Sequence, residues 1–126
     1  MAFDIIKFTD YLRQHAAKVS QSHCAKFVRR ALEAGGANTS GHLVGANTYG
    51  PILRHNGFHV VPVKNLDSFL PAKGDIVIIE PTRQGNQAGH IAGFDGKNWI
   101  SDFVQRGFWP GSSYAKEKPT YVIYRH

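Results

Sequence analysis

Apolar residues near the start of the chain recur at the spacing of an α-helix. Ile5, Phe8 and Leu12 are separated by three or four residues, and Ala16 continues the same stripe. One face of such a segment can be buried while the polar residues between them face water. The pattern predicts a first helix over about residues 4–19.

A second helix is predicted over about residues 23–34. Ser22 is a good candidate for its N-cap, and the pair Gly35-Gly36 is a strong stop signal. The apolar stripe of this helix is Cys24, Phe27, Val28, Ala31 and Leu32. Cys24 therefore lies on the core-facing stripe, at its N-terminal edge.

The remainder of the chain is dominated by short apolar runs. After a loop over residues 37–47, a brief helix is predicted over 49–55. Strands are predicted, in chain order, over residues 58–63, 75–80, 90–94, 97–104 and 121–124. The continuous run at 75–80 suits the centre of a sheet, whereas Pro62 suits an edge. Helices followed by mostly antiparallel strands predict an α+β fold, with the second helix packed on one face of the sheet.

Length and composition narrow the class of protein. The chain has 126 residues, which predicts a single domain over residues 1–126. No apolar run approaches the roughly 18 residues that span a bilayer, so no membrane insertion is expected. The N-terminus lacks the features of a secretory signal. We therefore expect the chain to be made in the cytoplasm and, if it acts elsewhere, to be delivered by another route.

The net charge is strongly positive. The formal charge is +6 at pH 7, which suggests an anionic partner such as nucleic acid, an acidic protein or cell-wall polymer, although a generally basic soluble surface is the simpler interpretation. The basic residues are scattered, and no aromatic-basic nucleic-acid motif is present. A nucleic-acid partner is therefore not expected.

Cys24 is the only cysteine, so it cannot form an internal disulfide. A buried cysteine often acts as a small hydrophobic residue. In the first turn of a helix, however, the macrodipole favours the thiolate, and free backbone N–H groups can hold an oxyanion. Gln21 is a further candidate donor to such an oxyanion. The position thus makes Cys24 a candidate nucleophile.

His90 is the candidate general base, because it follows Gly89 and opens an apolar strand. A base must be held rigidly within hydrogen-bond reach of the thiol, and a strand facing the start of the helix can do this. The other histidines are predicted to lie on helix surfaces, in loops or at the terminus.

The third candidate residue depends on the register of a hairpin around Asp95-Gly96. If the turn takes in one further residue, Asp102 lies opposite His90, whereas a tight turn places Ser101 there. A carboxylate best stabilises an imidazolium, so Asp102 is preferred. Ser101 and Gln105 are the alternatives.

Four segments carry a resemblance to a known family. They are SHCAKFVR at 22–29, GDIVI at 74–78, GHIAGF at 89–94 and WISDF at 99–103. Together they resemble the CHAP and NlpC/P60 branch of papain-like cysteine hydrolases, which cleave amide bonds of bacterial peptidoglycan. The chain looks most similar to the amidase effectors that type VI secretion systems inject into rival bacteria.

The resemblance implies a papain-like α+β fold and action at the cell wall or periplasm of a target bacterium. It implies that Cys24 is the nucleophile, His90 the base and Asp102 the orienting residue, although many relatives carry His, Asn or Glu at the third position. It also implies two partners, the peptidoglycan substrate and a cognate immunity protein. No cofactor is expected.

Three other interpretations remain open. The chain could be a phage endolysin-type amidase, or a non-catalytic basic binding module in which Cys24 is merely buried. A metal site with Cys24, His23 and His90 is less favoured, because adjacent His-Cys is not a standard zinc spacing and a second cysteine is absent.

Overall fold

A computed structural model describes residues 3–20, 23–85 and 87–126. Its helices are α1 (Ile5–His15), α2 (Cys24–Ala34), α3 (Gly50–His55) and α4 (Ser112–Glu117). Its strands are β1 (His59–Val61), β2 (Ile76–Ile79), β3 (His90–Phe94), β4 (Trp99–Ile100) and β5 (Tyr121–Arg125). Short 3₁₀ turns occupy Ala46–Thr48 and Leu66–Ser68.

The strands form one sheet in the order β1-β5-β2-β3-β4, and each neighbouring pair is antiparallel. As predicted, β2 lies at the centre, where all four of its residues are buried, and β1 lies at an edge. The α+β class and the mostly antiparallel sheet are therefore confirmed.

Helices α1 and α2 cover one face of the sheet. Phe8 and Leu12 of α1, together with Val28 and Leu32 of α2, are fully buried in one cluster with β2 and β3 residues. At Gly93, a Cβ atom would come within 2.8 Å of the side chains of both α1 residues. The missing side chain thus allows α1 to approach β3 closely.

Aromatic residues cover the opposite face. Val77, Ala92 and Ile123 are buried there beneath a set of rings packed mainly edge to face. These rings belong to Trp99, Phe108, Trp109 and Tyr121. The segment after β4 is therefore packed against the sheet, and it contains α4, a helix that was not predicted from the sequence.

The first helix is shorter than predicted because the residues after it pair with the segment after β4 instead of continuing the helix. α1 ends at His15, and Ala16 is already extended. Ala17 then makes a parallel bridge with Phe103, its N–H bonding the carbonyl of Asp102 at 2.9 Å. The segment before α2 is thus attached to the segment after β4.

The hairpin between β3 and β4 differs from both predicted registers. Phe94 pairs with Trp99, so the loop holds four residues. The Asp95 side chain builds this loop by accepting hydrogen bonds from the N–H groups of Lys97 (2.9 Å) and Asn98 (2.7 Å). Neither Asp102 nor Ser101 is paired with His90 across the ladder.

The predicted strand at 97–104 also folds back on itself. β4 ends at Ile100, which makes an antiparallel bridge with Val104, and the Gln105 N–H bonds the Trp99 carbonyl at 2.9 Å. This reversal returns the chain toward β3 and carries Gln105 with it. Within the described ranges, no helix is long and apolar enough to cross a membrane.

Candidate active site

Cys24 is the first residue of α2 and lies against the start of β3. Burial raises the pKa of its thiol, and contacts with the backbone amides of Ile91, Ala25 and Cys24 itself oppose this shift. Ile91 directly follows His90, so the thiol and the imidazole belong to one site. Cys24 is half-buried and also lines an open cleft, which a cysteine that only fills the core would not do.

The start of α2 is bonded by a residue that is distant in the sequence. The N-cap position is occupied by His23, whose side chain makes no capping hydrogen bond. Its backbone N–H instead donates to Oδ2 of Asp102 at 2.7 Å. Ser22, the predicted N-cap, and Gln21, the predicted oxyanion donor, lie outside the described residues. A carboxylate far along the chain therefore supplies a capping contact to α2.

His90 is held by Gln105 rather than by Asp102. The imidazole Nε2 and the Gln105 Oε1 are 2.8 Å apart, and both side chains are buried. The Gln105 amide nitrogen donates to the carbonyls of Gly107 (3.0 Å) and Phe108 (3.1 Å). No hydrogen bond joins His90 to Asp102 among the described residues; Gln105, one of the two alternatives, bonds the ring because the chain reverses after β4.

These bonds determine the tautomer of His90. The Gln105 nitrogen faces two carbonyl oxygens, so the oxygen is the atom that faces the imidazole. An oxygen accepts, so Nε2 of His90 carries the proton. In the neutral ring Nδ1 is then unprotonated, and it has no hydrogen-bond partner among the described residues. This nitrogen is available to take a proton from a thiol.

The alternative Ser101 does not reach His90. Its side chain is fully buried, and its Oγ has no hydrogen-bond partner among residues 3–20, 23–85 and 87–126.

Burial keeps both reactive groups neutral. Burial raises the pKa of Cys24; the backbone amides oppose this shift, and the Asp102 charge adds to it. Burial lowers the pKa of His90, while Gln105 and then Asp102 act in the opposite direction. The helix start acts on the thiol in the predicted direction, but burial outweighs it. Both shifts favour the neutral thiol and the neutral imidazole over the ion pair.

The two groups line adjoining depressions. One, of about 400 Å³, is lined by Ser20, Thr82, Gly85, His90, Phe103, Pro110, Gly111, Ser112, Ser113 and Tyr114. The other, of about 280 Å³, is lined by His23, Cys24, Ala25, Lys26, Val44, Ala46, Ala88 and Gly89. The segment before α3 contributes Val44 and Ala46 to this lining, and the segment before α4 contributes Pro110 and Gly111.

Comparison with solved structures gives two matches over nearly the whole chain. Both are the type VI effector–immunity complex Tae3–Tai3 from Ralstonia pickettii, in a native and a selenomethionine form. The native form has 37% sequence identity and a TM-score of 0.87, covering 98% of this chain and 99% of the matched chain. The second has 38% identity and a TM-score of 0.83, covering 94% and 99%.

The chain belongs to the Tae3 family of type VI effectors. No family model and no curated protein matches it. In this member of the Tae3 family, the described residues contain no group of three His, Cys, Asp or Glu side chains that could hold a metal ion.

Tyr114 is a residue of this Tae3-family site that the sequence analysis did not single out. Its ring lies 5.9 Å from that of His90, centroid to centroid. Burial raises the pKa of its hydroxyl, and the charge of Cys24 adds to this shift. Tyr114 thus contacts the base and lies near the nucleophile. Its position on α4 depends on a six-residue helix between Gly111 and Lys118, which has no clear apolar period.

Proposed function

We propose that this chain is a cysteine-dependent peptidoglycan amidase with a papain-like fold of the CHAP and NlpC/P60 type. The observation that carries the proposal is the placement of Cys24, at the start of α2, against the start of β3, where the buried Gln105 bonds His90 at 2.8 Å. A nucleophile, a base with one unprotonated nitrogen, and a residue that orients that base are the parts that acyl transfer needs.

The reaction begins with a neutral pair. Nδ1 of His90 takes the proton of the Cys24 thiol as the sulfur attacks the carbonyl carbon of a stem-peptide amide. The amides of Cys24 and Ala25 are the nearest candidates to hold the oxyanion, because amides at a helix start lack intrahelical partners. His90 then protonates the leaving amine as the C–N bond breaks, and a thioester remains on Cys24.

Hydrolysis of the thioester completes the cycle. His90 takes a proton from water, and the resulting hydroxide adds to the thioester carbonyl. The C–S bond breaks, the sulfur recovers its proton from His90, and the peptide leaves as a carboxylic acid. Gln105 takes no proton in these steps; it keeps Nε2 protonated so that Nδ1 serves both half-reactions.

Both matched structures are effector–immunity complexes, and a cognate immunity protein is accordingly a partner of this chain. We propose further that the chain is injected by a type VI system and acts at the cell wall of a rival bacterium. Its positive charge suits an anionic wall.

Digestion of purified peptidoglycan tests the function. Wild type is expected to release fragments whose masses show hydrolysis of one stem-peptide amide. Cys24→Ala is expected to reduce the rate by about a thousandfold or more, because the nucleophile is lost. Equal cleavage by the two proteins would contradict a thiol mechanism, and no cleavage by folded wild type would contradict peptidoglycan as substrate. Addition of the immunity protein is expected to stop release.

A further inference from the structure

A second, positively charged depression lies beside the nucleophile. It measures about 210 Å³ and is lined by residues of α1, α2 and neighbouring segments: Tyr11, His15, Ala17, His23, Lys26, Phe27, Arg30 and Asp102. His23 and Lys26 also line the depression that holds Cys24. The two spaces therefore share a wall at the first turn of α2. We call the second one the basic pocket.

The cations of the basic pocket are not matched by acidic groups. Neither Lys26 nor Arg30 makes an ion pair with any described residue, whereas Arg29 of the same helix bonds Glu33 at 3.0 Å. The carboxylate among the described lining residues is Asp102, which is only 4% exposed and accepts the His23 N–H. The accessible charge of the pocket is therefore positive.

The positions of Lys26 and Arg30 do not stabilise α2. Lys26 and Arg30 are four residues apart, so their charges lie side by side and repel each other. Lys26 is also in the first turn, where the helix dipole disfavours a cation, and no acidic residue is present there to compensate. Two cations that weaken their own helix and line a pocket beside Cys24 are better explained by an anionic ligand than by folding.

We infer that Lys26 and Arg30 form a subsite for a carboxylate of the substrate peptide, close to the amide that is cut. This inference rests on the proposed function. Lys26 borders both spaces, so a bound peptide can extend from Cys24 into the basic pocket. The rings of Tyr11 and Phe27 supply apolar surface for the aliphatic part of an acidic residue, and the two cations bind its carboxylate. The substrate is thus a peptide with a free carboxylate next to the scissile bond.

Binding to the inactive Cys24→Ala protein tests the subsite separately from catalysis. The probes are a soluble disaccharide–tetrapeptide with free carboxylates and the same molecule with its carboxylates converted to amides. We expect the acid form to bind about tenfold more tightly, as hydrogen bonds to charged groups typically provide. Adding Lys26→Met or Arg30→Met should remove most of that preference. Adding Lys64→Met, an exposed cation away from these pockets, should leave it unchanged.

Equal binding of the two forms, or a preference that survives Lys26→Met and Arg30→Met, would overturn the subsite. So would a loss of immunity-protein affinity in these variants with the substrate preference intact, because the cations would then serve that interface. Circular dichroism of each variant verifies folding. Cleavage of both probes by the protein with Cys24 intact is measured in parallel. A preference in binding without any cleavage leaves the subsite and rejects the amidase function.

Discussion

Cys24 and His90 line adjoining depressions, and the contacts that hold them differ in kind. The start of α2 has no cap of its own among the described side chains, and a carboxylate from far along the chain bonds it at 2.7 Å. His90 opens a strand, and the Gln105 amide that bonds it is itself fixed by two carbonyls. Among the described residues, a charged side chain thus bonds the start of α2, and a neutral side chain bonds the base.

The difference follows from what each group must do. A carboxylate in the place of Gln105 would stabilise an imidazolium, but it would also face the carbonyls of Gly107 and Phe108 without a proton to donate. The amide can accept from His90 and donate to both carbonyls. It orients the ring and raises its pKa by less than burial lowers it, so the unprotonated base is still favoured. Asp102 fastens the helix and, through its charge, opposes ionisation of Cys24.

The largest effect is expected at Gly89, which directly precedes His90 at the start of β3. Its φ is +74°, and a Cβ atom there would overlap the backbone carbonyl oxygen of Ile79. We expect Gly89→Ala to cost about 3 kcal/mol or more of unfolding free energy and to displace His90, since the obstacle is backbone. Urea denaturation and the cleavage rate measure the two effects.

Gly36→Ala is the matched control for this substitution. Gly36 has a φ of +96°, but nothing lies within 4 Å of a Cβ placed there. Its smaller cost isolates backbone strain from overlap, and activity should persist. If Gly89→Ala were no worse than Gly36→Ala, close packing at the start of β3 would not be what positions His90.

Gln105→Ala is next in expected size. It leaves the buried Nε2–H of His90 without an acceptor and frees the ring to change tautomer, so kcat/KM should fall by about a hundredfold. Gln105→Glu keeps the shape and the acceptor but loses both donors, and we expect little recovery. Full activity of Gln105→Ala would exclude Gln105 as the orienting residue, and Asp102 would return as the candidate.

The sequence predicted the surroundings of Cys24 on α2 better than the surroundings of His90 on β3. Periodicity placed α2 to within a residue, with Cys24 at its start, because helix spacing and Gly35-Gly36 are local signals. Gly89 and His90 were also predicted where they lie. The bond between His90 and Gln105 was not preferred. It depends on a loop built by the Asp95 side chain and on the reversal after β4. Local propensity does not report where such a reversal places a side chain in the folded protein. Asp102 was preferred because a carboxylate best stabilises an imidazolium, and Gln105 was only an alternative.

The effect expected at Asp102 is smaller and separates its two roles. Asp102→Ala removes the acceptor for the His23 N–H and should cost about 1 kcal/mol of unfolding free energy, as loss of a helix cap does. Activity should fall with stability as the start of α2 loosens. Asp102→Asn keeps an acceptor oxygen and should retain most of both. Should Asn prove as damaging as Ala, the charge rather than the contact would be essential, as expected of a residue that supports an imidazolium.

The smallest effects expected concern pH dependence. The pKa values of Cys24 and His90 are shifted in opposite directions. Burial lowers the pKa of His90, and only the neutral ring accepts a proton, so kcat/KM should hold its plateau to a pH below the ordinary imidazole value of about 6.5. Burial raises the pKa of Cys24, so alkylation by iodoacetamide, which needs the thiolate, should require a higher pH than a free cysteine does. Asp102 raises both pKa values, so Asp102→Asn should move both profiles to lower pH, while the exposed control Asp67→Asn should move neither. If the alkylation rate instead rose at a pH below that of a free cysteine, the pair would rest as thiolate and imidazolium. Cys24 and His90 would then be coupled by charge.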